Sequence, residues 1–142
     1  MFLDALLKVS AAQAFGAAAV STNSIDLALL TPGRQIGTGE PMGFGLSIDV
    51  APTVAPPIID IISATDAALT AGILVHASFT RPIADLPAGT LLFLPLPQGT
   101  PTQRFLGIRI TTAGGTITAS AWLTTHSLFS LIPRSYPKGF TV

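Results

Sequence analysis

Thirteen glycines and twelve prolines cut this chain of 142 residues into short pieces, and within the pieces apolar residues recur at every second position. Together these two signals restrict the fold more than any other feature. Period-two alternation marks a half-buried strand, and Gly/Pro clusters between such runs are turn chemistry. The cleanest case is Phe44, Leu46, Ile48 and Val50 pointing one way, with Gly45, Ser47 and Asp49 pointing the other. Ile25, Leu27 and Leu29 alternate with Ser24, Asp26 and Ala28. Ile73, Val75, Ala77 and Phe79 alternate with Leu74, His76, Ser78 and Thr80. The run Ile58 to Ser63 is apolar throughout except for Ser63 and a central Asp60. It fits a strand covered on both faces or lying at a subunit interface. Leu91 to Leu94 predicts a short strand ended by Pro95 and Pro97. Residues 105–112 and 116–125 flank Ala113-Gly114-Gly115 and predict a hairpin. The sum is an all-β chain, a jelly roll or β-sandwich of about eight short strands.

The N-terminus breaks this pattern. Phe2, Leu3, Leu6, Leu7 and Val9 surround most of a helical circumference, and Asp4 and Lys8 form an i,i+4 pair on the rest. The spacing predicts a short amphipathic helix over 1–10, which is marginal alone in water and needs a surface to lie on. That surface is its own domain or a neighbour. The low-information segment 11–20 (AAQAFGAAAV) either continues the helix or runs extended. The resulting division is an N-terminal arm over 1–20, helical or extended, and a β domain with a C-terminal tail over 21–142.

Function is constrained mostly by what is scarce. Only 10% of residues are charged, seven acids balance seven bases, and cysteine is absent. A neutral, sparsely charged chain tends to associate. The scattered bases do not make a nucleic-acid footprint, and no thiolate metal site or disulfide framework is possible. A membrane-spanning helix needs roughly 20 predominantly apolar residues. The charge-free stretch 110–133 is too rich in Thr, Ser and Gly, and 86–103 is broken by prolines.

No motif carries convincing chemistry. Gly37, Gly39, Gly43 and Gly45 lack the Lys-Ser/Thr ending of a phosphate loop and read as a turn into a strand. His76 and His126 stand far apart, no G-x-S-x-G elbow is present, and Glu40 is the sole glutamate. A cupin-type metal site wants closely spaced histidines plus a glutamate, so neither an enzyme nor a cofactor is expected. Trp122, on the Thr-rich face of its strand, is a sugar-stacking platform, an interface anchor or a core residue of a second sheet.

Four stretches, MFLDALLKVSAAQAFGAAAVSTNSIDL, TPGRQIGTGEPMGFGLSIDV, LPAGTLLFLPLPQGTPTQRFLGIR and SAWLT, together resemble the capsid cement proteins of tailed phages, of the Bordetella-phage type. The likeness runs from Met1 to about Thr125 and is most specific in the N-terminal block and GTGEPMGFG. It implies a jelly roll on the outer surface of an icosahedral head, bridging neighbouring major capsid protein subunits. It also implies self-association, a homodimer first and a trimer next. No catalytic residue, cofactor or metal comes with it. Speculative capsid or oligomer contacts, chosen on chemistry, are Phe2, Leu3, Leu6, Leu7, Phe15 and Trp122. The alternative reading is a glycan-binding jelly roll on a virion surface, with Trp122 stacking on the sugar.

Overall fold

The computed structural model describes residues 7–27, 41–97 and 102–130. Among these residues nine strands and one short α-helix follow in order: β1 (Lys8–Phe15), β2 (Ala18–Val20), β3 (Ile25–Asp26), β4 (Met42–Val50), β5 (Ile58–Ala64), β6 (Leu74–Thr80), β7 (Leu91–Pro95), β8 (Phe105–Thr111), β9 (Ile117–Thr125) and α1 (His126–Ser130), with a 3-10 turn at Ile83–Asp85 between β6 and β7. One sheet has the order β1-β9-β4-β7. The other has the order β2-β8-β5-β6, with β3 also on β8. All pairings are antiparallel.

The pairings are nested. β5 pairs with β6, β4 with β7, β2 and β3 with β8, and β1 with β9. The chain is thus one long hairpin, rolled so that β9 also meets β4 and β8 also meets β5. That is the topology of a jelly roll. β2 and β3 lie on successive parts of β8, Val20 opposite Arg109 and Ile25 opposite Leu106. They amount to one edge strand broken at Ser21; the strands not named in advance are β1 and β2, both within the segment 1–20. Ser21 Oγ fills the break by donating to the Asn23 carbonyl at 2.9 Å and accepting from the Ile108 N–H at 3.3 Å.

The core lies between the sheets and comes from the alternation. Phe44, Leu46 and Ile48 of β4, Ile59 and Ile61 of β5, Leu106, Ile108 and Ile110 of β8, and Ile117, Ala119, Ala121 and Leu123 of β9 are buried together. Val50 leaves the pattern and is exposed, because a register shift separates it from Ile48. Val75 does the same at the irregularity around His76. β5 is covered on both faces, as its composition requires. Outward-facing Ile62 and Ala64 pack under Leu69 of the 65–73 loop. Gly107 makes room for that loop, since a Cβ there would sit 2.5 Å from Leu69 Cδ1. Asp66 shapes the loop by accepting from the Thr70 N–H, the Thr70 hydroxyl and the Ala71 N–H. The Thr70 hydroxyl, more than any other contact, holds the Asp66 carboxyl below its usual value.

Three sequence expectations are corrected. Lys8–Phe15 is a strand, so the helix over 1–10 does not hold from residue 8 onward; of the alternatives for the segment 1–20, residues 8–15 run extended and pack on their own domain. Pairing with β9 satisfies the backbone and sinks Val9 and Phe15 completely, which a lone short helix could not match. Residues 1–6 lie outside the described residues. Strands β8 and β9 do not form a hairpin, because they belong to opposite sheets. The corner between them is held by Thr112, whose N–H donates to the Ala17 carbonyl and whose hydroxyl reaches the Gly16 and Gly115 carbonyls. Gly115 supplies the positive φ of 72°. Finally, the strand already begins at Met42, so Gly43 belongs to β4 and not to the turn before it, while Gly45 is a strand residue as its alternation predicts. Gly37, Gly39 and Leu29 lie outside the described residues, as does the tail beyond α1.

Candidate functional site

Nested pairing gathers the connections at the two ends of the sandwich. One end carries the turn at Gly16-Ala17 and the loops 51–57, 81–90 and 112–116. Three large apolar side chains stand in solvent there: Val50 at 56%, Val54 at 65% and Ile58 at 43% exposure. The 51–57 loop that carries Val54 is framed by prolines. Pro52 and Pro57 are buried and fix the loop to the sandwich, while Pro56 and Val54 face out. Val54 leans on the 112–116 corner, where a Cβ on Gly114 or Gly115 would come within 3.0 Å of its methyls. Proline-fixed backbone has little freedom left to lose on binding, so an apolar knob held this way is a preorganised contact. Charge nearby is sparse. Asp49 is occupied by Ser120 Oγ at 2.7 Å.

Elsewhere two ion pairs lie within the described fold. Arg109 donates from Nε and an Nη to one oxygen of Asp60, at 3.1 and 2.7 Å, and Ser78 donates to the other at 2.5 Å. Arg104 forks onto Asp26 at 2.8 and 2.9 Å and lies over the Phe105 ring.

The speculative contact residues divide. Phe15 is wholly buried in the core, Leu7 packs against it, and Trp122 is 5% exposed. Phe15 and Trp122 therefore offer no surface to a partner. Phe2, Leu3 and Leu6 lie outside the described residues. Trp122 faces away from the main core, but its indole lies flat on Gly45, where a Cβ would be 2.6 Å from Cε2. Helix α1 crosses the same face, packing on β4, β7 and β9, with His126 and Phe129 against Phe93 at 5.2 and 5.4 Å between ring centroids. A covered indole cannot stack on a sugar, so the glycan reading loses the residue it rested on. Indole Nε1 is buried and has no hydrogen-bond partner among the described residues.

Sequence reading also missed a Ser–His contact. Ser63 Oγ and His76 Nε2 are 2.6 Å apart, and the Gln103 N–H donates to the same Ser63 oxygen at 2.9 Å. The contact has the form of a nucleophile and its base, but Ser63 is wholly buried. A nucleophile must reach its substrate, whereas this hydroxyl ties the connection before β8 to the β5–β6 pair. Burial pushes the His76 pKa down. Among the described residues no group of three His, Asp or Glu side chains could hold a metal ion, and no helix is long and apolar enough to cross a membrane.

The exposed loop end left one trace in the sequence, the Pro52-Thr53-Val54-Ala55-Pro56-Pro57 segment, in which a lone valine sits between prolines. The family model described as Bbp16 matches residues 9–124, from within β1 to within β9. No curated protein matches the sequence.

Proposed function

The chain belongs to the Bbp16 family, a family of Bordetella phage proteins, and from that premise we propose that it is a capsid cement protein. On this reading it sits on the outside of the icosahedral head and bridges neighbouring major capsid protein subunits. The observation that carries the reading is the proline-framed apolar end of the jelly roll, Val50, Val54 and Ile58. A preorganised apolar surface with little charge suits a seam between shell subunits, where many copies each bury modest area and their contributions add. The work asked of such a protein is mechanical. It binds the assembled shell better than separated subunits, and so shifts the balance toward the intact head.

The test is co-sedimentation of the full chain with expanded, undecorated heads of its own phage. Saturable binding at a fixed ratio to major capsid protein, with heads surviving more heat, is expected. Val54→Asp, on an exposed loop, should leave the melting temperature unchanged and weaken binding. Absence of binding to intact expanded heads overturns the proposal. Undiminished binding of Val54→Asp would remove the loop end from the contact and leave the cement role standing.

A further inference from the structure

The two sheets do not close along one side of the sandwich. β6 ends one sheet and β7 ends the other. Between them runs a cavity of about 360 Å³ with Ile59 and Phe79 on one wall, β7 on the other and Arg81 at the rim. All five residues of β7 line it, inward-facing and outward-facing alike. A cavity is lined that way when it follows the free backbone edge of a strand. Among the described residues β7 pairs with β4 alone, in unbroken register.

Exposed edges are normally blunted by bulges, charges or breaks. β1 has two register shifts, the β2–β3 edge is broken, and β6 is irregular at its pairing with β5. β7, Leu91-Leu92-Phe93-Leu94-Pro95, has no charge, no bulge and a proline only at its end. Arg81 is exposed and forms no ion pair among the described residues. Among the described residues the groove thus offers unpaired backbone, apolar walls and one free cation, which is the chemistry of a site for an extended apolar segment carrying one acid.

We infer that the occupant is residues 1–6 of a second copy of this chain, added to β7 as a strand with Asp4 against Arg81. The segment Met1-Phe2-Leu3-Asp4-Ala5-Leu6 is apolar apart from that one carboxylate. A copy's own arm is poorly placed to reach. β1 is at the far edge of its sheet from β7, three strand intervals away in the order β1-β9-β4-β7, or about 14 Å at the usual spacing. Asp4 stands only four residues before Lys8, at most about 14 Å of extended chain, so a copy's own Asp4 would spend that whole length on the crossing and could not also lie along β7. A neighbouring copy meets no such limit. This inference does not depend on the capsid reading and concerns the chain free of heads.

The test is sedimentation velocity of the full chain over a range of concentrations, with Asp4→Arg and Arg81→Asp. Wild type should self-associate, and each variant should associate about tenfold more weakly or worse. An equimolar mixture of the two variants should recover, because the arm of each then fits the groove of the other. Arg81 makes no ion pair among the described residues, so unchanged circular dichroism and melting are expected. Three results would overturn the inference. One is a wild type that stays monomeric throughout, and a second is variants that associate like wild type. The third is loss that the mixture does not restore; recovery only in the double variant on one chain would place the arm in its own groove.

Discussion

Gly45 is the position where a single added carbon should do the most damage for its size. Its Cβ would lie 2.6, 2.7 and 2.8 Å from Cε2, Cζ2 and Nε1 of Trp122, where carbon contacts normally sit at about 3.5–4.0 Å. The indole must therefore retreat by roughly 1 Å from the sheet. A gap of that size forfeits a quarter to a half of each contact it opens, and overpacking of this kind costs about 1–3 kcal/mol. Alanine returns roughly half a kcal/mol by restricting the unfolded chain. The net loss should lower the melting temperature of Gly45→Ala by roughly 3–10 °C. Trp122 is the sole tryptophan, so its emission reports the same event and should shift to the red as the ring lifts. The double variant Gly45→Ala/Trp122→Leu should show less than the sum of the single effects, because the clash goes with the ring. A melting temperature within 1 °C of wild type, with unshifted emission, would mean that the indole does not lie on Gly45.

Three further outcomes follow from the packing. Asp60→Ala should cost about 3 kcal/mol in a denaturant titration by stranding Arg109, and Asp60→Leu/Arg109→Met should recover most of it. Additive losses in the double variant would refute the pairing. Leu69→Ala should cost about 2–3 kcal/mol by uncovering Ile62 and Ala64, with faster hydrogen exchange in 65–73; unchanged exchange would contradict the role given to Leu69. His76 has a folded pKa below its ordinary 6.5, so the unfolded chain takes up the proton first as pH drops. The stability due to neutral His76 is then complete above about 6.5 and falls away as pH declines from there toward the folded value. His76→Gln should flatten that segment of the stability–pH curve, and an unchanged slope would show that another group titrates there.

The sandwich was legible because its strands announce themselves twice, by alternation and by the prolines and glycines that end them. Phe44, Leu46 and Ile48 face the core as their spacing requires, and Ile58 to Ser63 sits in a strand covered on both sides. What could not be read was pairing. Nothing local says that the arms flanking Ala113-Gly114-Gly115 go to different sheets, because each is claimed by a strand more than 40 residues away. The first strand was hidden for a related reason. KVSAAQAF has little strand propensity of its own, and its conformation is set by β9, more than 100 residues on. Trp122 stayed open between platform, anchor and core residue because an outward-facing aromatic looks available until its close fit on Gly45 is known. The Ser63–His76 contact needed the irregularity in β6, which no spacing rule supplies.

The nested pairing also dictates an order of assembly. The innermost pair, β5 with β6, closes only the short 65–73 loop, whereas β1 and β9 stand at opposite ends of the described chain. Loop-closure entropy rises with the length of chain enclosed. Once β5 and β6 have met, however, β4 and β7 are already close, and each completed pair shortens the closure left for the next. Folding should run outward like a zipper from the 65–73 loop, with β1 the last strand to lock and the first to fray. Substitutions around Leu69 and Ile62 would then slow folding, while Val9→Ala and Phe15→Leu would act almost wholly on the rate of unfolding.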